Sequence, residues 1–186
     1  MKRYKVIALC GKSGAGKDTL LREFLAHFPC LHGIIKVTTR PRREYEKQDT
    51  DYHFISLEEF TAKLLNSEMI EAAVFNNWGY GTLIDDLKED KINIGVFSPE
   101  AIRIINEDPR IDLEIIYITA SDKERLIRQL DREENPDIEE IIRRYQTDKI
   151  DFLELEEYNY DIIPNEDSEN LKYQLIAFSN ILDNFM

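Results

Sequence analysis

Gly11-Lys12-Ser13-Gly14-Ala15-Gly16-Lys17-Asp18-Thr19 follows directly on the apolar run Tyr4-Lys5-Val6-Ile7-Ala8-Leu9-Cys10 and leads into the amphipathic stretch Thr19-Leu20-Leu21-Arg22-Glu23-Phe24-Leu25. Gly11, Gly16 and Lys17 have the spacing of a phosphate-binding loop between a strand and a helix. Glycines at 11, 14 and 16 let the backbone turn tightly and aim successive N–H groups inward, a concavity suited to phosphate oxygens. A helix starting near Lys17 adds the positive end of its dipole, and the lysine ammonium reaches the outer phosphates. The position after the lysine normally carries Ser or Thr for magnesium, and here it is Asp18.

The rest of the chain alternates strand and helix signals around that opening. Gly33 to Thr38 reads as a short β-like run, followed by Tyr52-His53-Phe54-Ile55 and Met69 to Phe75. Ser56 with Glu59 three residues later marks a capped helix between those last two. Asn76-Asn77 offers a hairpin turn into Trp78-Gly79-Tyr80. Ile92 to Phe97 reads as a strand and Pro99 to Glu107 as a helix with Pro at its start. Leu113 to Thr119 is a strongly apolar strand, and Ser121 is placed to cap the helix after it. Asn135-Pro136 breaks that helix and starts another running to about Ile150; a strand at Tyr160 to Ile163 and an amphipathic helix from Leu171 complete the pattern. Such alternation implies a parallel sheet with ligand at the carboxyl ends of its strands.

At 186 residues the expectation is one α/β unit with small inserted lobes. A formal charge of −13, from 37 acidic against 24 basic residues, argues against nucleic-acid binding, because such a surface repels a phosphate backbone. No run approaches the length of a membrane span and no secretory signal precedes the first strand, so a cytoplasmic protein without membrane partner is expected. Cys10 and Cys30 have no metal or redox spacing and fit reduced thiols. His27, His32 and His53 form no spaced metal set. Any anion site must therefore be built from local clusters of Arg and Lys, and one is conspicuous: Arg40, Arg42 and Arg43 crowd into four residues. A second phosphate site beside a phosphate loop is what phosphoryl transfer requires, and arginine serves it with paired hydrogen bonds.

The stretch Thr38-Thr39-Arg40-Pro41-Arg42-Arg43-Glu44-Tyr45-Glu46, with Asp51-Tyr52-His53-Phe54 beyond it, resembles the signature of the guanylate kinase family. Met69-Ile70-Glu71 with Gly79-Tyr80-Gly81-Thr82 is similar to that family's base-reading segment. Arg128, Arg132 and Arg143 resemble its lid arginines, and Ile163-Pro164-Asn165-Glu166-Asp167 a late turn. The likeness runs from about residue 4 to 182. It implies a P-loop NTPase-type, three-layer α/β fold with a central parallel sheet. A core would comprise residues 1–33, 83–120 and 150–186, a mainly β monophosphate-binding lobe 34–82 and a short helical lid 121–149.

The resemblance also implies roles. Gly11, Ser13, Gly14, Ala15, Gly16, Lys17, Asp18, Thr19 and Asn165 would bind ATP. Arg40, Arg43, Tyr52 and Tyr80 would hold the monophosphate, with Lys36, Glu71 and Thr82 at the base. Lys17, Arg40, Arg128, Arg132 and Arg143 would stabilise the transferring group, with Mg2+ as cofactor. The expected reaction moves the γ-phosphoryl of ATP to GMP or dGMP, in a monomer or homodimer. Three departures bear on it, Asp18 among them. Lys36 stands where the family has a serine facing guanine, and Gly95 and Phe97 stand where it has a pair of acids. Asp18 then becomes the candidate for the magnesium-facing carboxylate, against a plain first-turn role in the helix. A P-loop kinase with another acceptor, or a nucleotide-binding module with weak or no turnover, are the alternatives.

Overall fold

The computed structural model describes residues 3–44, 46–75, 77–132, 134–166 and 171–186. The chain divides into two compact units, one of Met1–Val6, Cys30–Gly95 and Ala101–Leu113, the other of Ile7–Pro29, Val96–Glu100 and Glu114–Met186. The elements run β1 (Tyr4–Cys10), α1 (Lys17–His27), β2 (Leu31–Gly33), β3 (Val37–Thr38), β4 (His53–Phe54), α2 (Leu57–Leu65), β5 (Met69–Phe75), β6 (Trp78–Leu83), β7 (Ile92–Val96), α3 (Pro99–Asn106), β8 (Ile111–Thr119), α4 (Asp122–Leu130), α5 (Ile138–Asp151), β9 (Asp161–Pro164) and α6 (Leu171–Phe185). Two sheets form, a five-stranded one in the order β2-β7-β1-β8-β9 and a four-stranded one in the order β4-β3-β6-β5. In the first, β2 pairs with β7 and β8 with β9 in parallel. This is the mixed α/β architecture with a central parallel sheet that the alternating pattern implies.

Val6 to Leu9 are wholly buried, because a strand covered on both faces has no polar side to show and reads as a continuous apolar run. In the unit that holds the glycine-rich loop, Phe24 of α1 stacks on Phe178 of α6 at 3.9 Å. Both rings are fully buried, which fixes the helix that carries the loop's C-terminal end. Ser56 and Ser121 cap α2 and α4 by accepting from the N–H groups of Glu59 at 3.1 Å and Glu124 at 3.4 Å.

The other unit contains the four-stranded sheet. β5 and β6 pair antiparallel with Phe75 opposite Trp78. Asn77 has φ 65°, as a tight hairpin turn demands; Asn76, the other residue of the expected turn, lies outside the described residues. Val37, Phe60 and Met69 form a small core beneath this sheet.

The run from Gly33 to Thr38, expected as one β-like piece, is two strands belonging to different sheets. Between them the Ile35 N–H donates to Asp86 Oδ2 at 2.9 Å. The imidazoles of His32 and His53 stand 3.6 and 3.7 Å from the same carboxylate. Asp86 thus ends one strand's ladder by capturing a backbone donor that a longer strand would have used.

Candidate functional site

The strand-to-helix turn after β1 is built by its glycines. Gly14 and Gly16 have φ of 81° and 87°, a left-handed backbone that side chains with a Cβ disfavour by about 1–2 kcal/mol. Each also lies against a neighbour: a Cβ at Gly14 would sit 2.4 Å from the Arg125 carbonyl oxygen, and one at Gly16 would sit 2.3 Å from Asn165 Nδ2. Gly16 is the N-cap of α1, so the free N–H groups of the helix's first turn begin where the loop ends.

Lys17 Nζ donates to the carbonyl oxygens of Gly11 at 2.6 Å and Lys12 at 3.3 Å. Burial pushes its ammonium below the usual lysine range, while Asp18, Asp148 and Cys10 work in the opposite direction and Arg125 with the burial. Asp18 and Thr19, on the first turn of α1, are exposed. Burial also pushes the Cys10 thiol up to about 12, against the pull of Lys17, so it is an inert core group.

Ala15 is buried, and its carbonyl accepts from Asn165 Nδ2 at 2.8 Å. Gln174 of α6 donates to Asn165 Oδ1 at 2.6 Å and so sets the orientation of that amide. Arg128 donates to Asn165 O at 2.7 Å and reaches Ala15 O at 3.4 Å. A cavity of about 580 Å³ opens on this loop, lined among others by Lys17, Asp18, Arg22, Arg128, Arg132 and Arg144. Its five cations outnumber its three acids, Asp18, Asp137 and Glu140, so the lining is net positive in an otherwise acidic protein.

The structure brings together Ser13, Gly14, Gly16, Lys17, Asp18, Thr19, Arg128 and Arg132 around one cavity, with Asn165 bound behind the loop. Arg143 does not line it. Its guanidinium forms a paired contact with Glu140 at 2.6 and 2.8 Å, and the next residue, Arg144, takes the cavity-facing place. Adjacent residues on a helix point about 100° apart, so a pair of neighbouring arginines leaves open which one faces inward.

The second cluster belongs to the unit with the four-stranded sheet. Arg40 makes a paired bond to Glu46, at 3.0 Å to Oε2 and 2.7 Å to Oε1, and the Arg43 N–H donates to Oε2 at 2.8 Å. The Arg40 fork is the largest influence holding the Glu46 carboxyl down at about 2. The Arg40 guanidinium lies 5.6 Å from the ring centres of Tyr52 and of Phe54, and the Tyr52 and Tyr80 rings meet edge to face at 6.2 Å. The Glu46 bond, then the Tyr80 hydroxyl, raise the Arg40 guanidinium further above its ordinary value. Arg40, Tyr52 and Tyr80 are therefore assembled in one patch, with Arg43 attached through its backbone and its side chain exposed.

Glu71 and Thr82 lie opposite each other on β5 and β6. Thr82 Oγ1 donates to Glu71 Oε1 at 2.7 Å, and both residues are buried. Lys36 Nζ stands 3.3 Å from the same oxygen. The serine-to-lysine departure therefore places a cation on the carboxylate rather than elsewhere on the lobe. Phe97 is 2% exposed and its N–H donates to Leu9 O at 2.9 Å. It is a core residue, where the family pattern has an acid.

A glycine-rich loop with a half-buried lysine, opening from the first strand of a parallel sheet into a cationic cavity, defines a P-loop nucleotide-binding protein. The family model for guanylate kinase matches residues 3–178, and this chain belongs to the guanylate kinase family. The guanylate kinase of Malacoplasma penetrans is 31% identical over 98% of this chain and 96% of its own length. That of Fusobacterium nucleatum is 33% identical over 84% of this chain and 85% of its own. The crystal structure of guanylate kinase from Anaplasma phagocytophilum superposes with a TM-score of 0.69 at 26% identity, covering 98% of this chain and 87% of that one.

Proposed function

We propose that this chain transfers the γ-phosphoryl group of ATP to GMP or dGMP, giving ADP and GDP or dGDP. The observation that carries the acceptor half is the buried Glu71 carboxylate held by Thr82 at 2.7 Å. A carboxylate accepts at once from guanine N1–H and N2–H2, and adenine offers no such pair of donors. Lys36, beside it, donates to a base carbonyl such as O6. Arg40, Arg43, Tyr52 and Tyr80 hold the monophosphate, two guanidinium forks and two phenols forming a donor set suited to a dianion.

On the donor side, Ser13, Gly14, Ala15 and Gly16 present loop N–H groups to the phosphates, and Lys17 moves from its own loop carbonyls to the outer phosphate oxygens. Arg128 and Arg132 supply positive charge as the γ-phosphoryl passes from the ADP oxygen to the monophosphate oxygen, a role worth about 10³–10⁵ in rate where an arginine finger has been measured. Arg144 joins them through its place in the cavity, and Arg143 acts through Glu140. Catalysis rests on positioning and charge stabilisation, with no covalent enzyme intermediate.

The donor set near Lys17 fits Mg2+ bound together with ATP. Asp18 is exposed in the cavity beside Thr19, and magnesium is ordinarily held by one or two carboxylates with substrate phosphates and water. Among the described residues there is no group of three or more His, Cys, Asp or Glu side chains that could hold a metal ion. When bound with ATP, the ion neutralises charge on the phosphate oxygens.

The contact of Lys36 with Glu71 favours a second reading, a kinase of the same type with a different acceptor, because it shares the base-reading oxygen with a cation. An ADP-release assay with ATP and magnesium across GMP, dGMP, AMP, UMP, CMP and dTMP separates the two. Turnover confined to GMP and dGMP is expected. Preference for any other acceptor replaces the reading, and silence on all six with nucleotide still bound makes the chain a binding module.

A further inference from the structure

We propose that Asp148 is a positioning residue for ATP: with Arg125 it clamps both backbone groups of Ser13 and so holds the phosphate loop in its binding shape. The inference rests on the donor reading of that loop. Asp148 lies on α5 and Arg125 on α4, 135 and 112 residues from Ser13 in the chain. The Ser13 N–H donates to Asp148 Oδ2 at 2.8 Å and its hydroxyl to Oδ1 at 3.3 Å. Arg125 Nε donates to the Ser13 carbonyl at 2.9 Å, and Arg125 Nη2 closes the ring on Asp148 Oδ2 at 2.8 Å. The remaining guanidinium nitrogen is tied to Asp122 at 2.8 Å, and the Tyr145 ring lies 5.3 Å from the guanidinium centre.

Arg125 is 3% exposed. A buried arginine and aspartate are costly to desolvate and are not, by themselves, a strong source of stability. Here both side chains converge on one loop residue. Ser13 sits where the turn must expose its following N–H groups to phosphate, and a loop left to itself samples many other shapes at an entropic cost of about 1–2 kcal/mol per residue fixed. Clamping one residue on both its donor and its acceptor removes much of that freedom before nucleotide binds.

Three proteins test this: wild type, Asp148→Asn, which keeps shape and loses charge, and the double variant Arg125→Leu/Asp148→Ala, which loses the clamp and keeps the net charge. Each is assayed for kcat, the KM of ATP, the KM of GMP, and direct ATP binding by calorimetry. The double variant raises the KM and Kd for ATP about tenfold, the scale of one lost charged hydrogen bond, with the GMP KM within twofold. Asp148→Asn weakens the charged bond to the Ser13 N–H and raises the same two ATP values, again with the GMP KM within twofold. An unchanged ATP KM and Kd in either variant, or a rise of the ATP and GMP values together, overturns the proposal.

If Asp148→Asn fails to fold, the double variant decides alone by its ATP and GMP values. If both lose their cooperative melting transition, the pair is a folding element and the proposal falls. An inactive wild type sinks the kinase reading instead, and ATP binding by the same proteins still decides the clamp.

Discussion

Replacing Gly14 with alanine tests the loop's construction most directly. Its φ of 81° costs an alanine about 1–2 kcal/mol in backbone strain. The new Cβ would meet the Arg125 carbonyl oxygen at 2.4 Å, roughly 1 Å inside an ordinary contact distance of about 3.5 Å. That oxygen is backbone, in the middle of α4, and cannot swing aside as a side chain does. A 1 Å shift of α4 would carry Arg125 Nε from 2.9 Å and Arg128 Nη2 from 2.7 Å of their carbonyl partners to beyond hydrogen-bond range. Two charge-assisted bonds are worth about 1.5–3 kcal/mol each. With about half of that recovered by relaxation, the substitution destabilises by about 2.5–5 kcal/mol in all.

At about 2–4 °C per kcal/mol for a chain of this size, melting falls by roughly 10 °C. If the loop moves instead of the helix, the strain appears as weaker ATP binding, at least about tenfold for 1.4 kcal/mol. Calorimetric melting and ATP titration of Gly14→Ala read both routes. A variant that melts within 2 °C of wild type and binds ATP within about twofold of it refutes the steric argument, since one of the two quantities has to absorb the strain.

Glu46 gives a pH prediction. Its carboxyl is held at about 2 against an ordinary 4.5, mainly by the Arg40 fork. A depressed carboxyl contributes stability that is complete above the unfolded value and lost as pH falls through the folded one. Glu46→Gln should therefore flatten the melting-temperature profile between pH 4.5 and 2, and a profile parallel to wild type across that window refutes the assignment. Asp18→Asn should raise the magnesium concentration needed for half-maximal rate and weaken magnesium binding to the complex with a non-hydrolysable ATP analogue. Identical magnesium titrations for the two proteins would leave Asp18 as a first-turn acid of α1 and nothing more.

Much of the candidate donor site is legible in the order of residues because it is local. An apolar run, three glycines, a lysine and an amphipathic helix occupy about twenty consecutive positions, and the strand and helix they announce are β1 and α1. The parts that hold this loop are not local. Arg125, Asp148 and Gln174 appear in the chain as ordinary polar residues of amphipathic helices, and only tertiary contact brings them to Ser13 and Asn165. Their burial is the signal, and sequence spacing does not carry burial.

Glu46 was legible as part of an arginine-rich signature but not as the partner that orients Arg40. The strand break after Gly33 was hidden for a different reason. A run of β-favouring residues names a conformation, whereas the sheet it joins depends on where its backbone donors find acceptors, and Asp86 intercepts one of them.

The contacts around Gly14 and Gly16 bear on how such a loop can be transplanted. The volume denied to a methyl group at Gly14 is taken by the Arg125 carbonyl, and at Gly16 by the Asn165 amide. The mould for this turn is thus cast by residues more than a hundred positions downstream. Nine residues grafted onto a foreign strand and helix would carry the glycines and the lysine but not the walls that shape them. A working transplant would take α4, the end of β9 with Asn165, and Asp148 along with the loop.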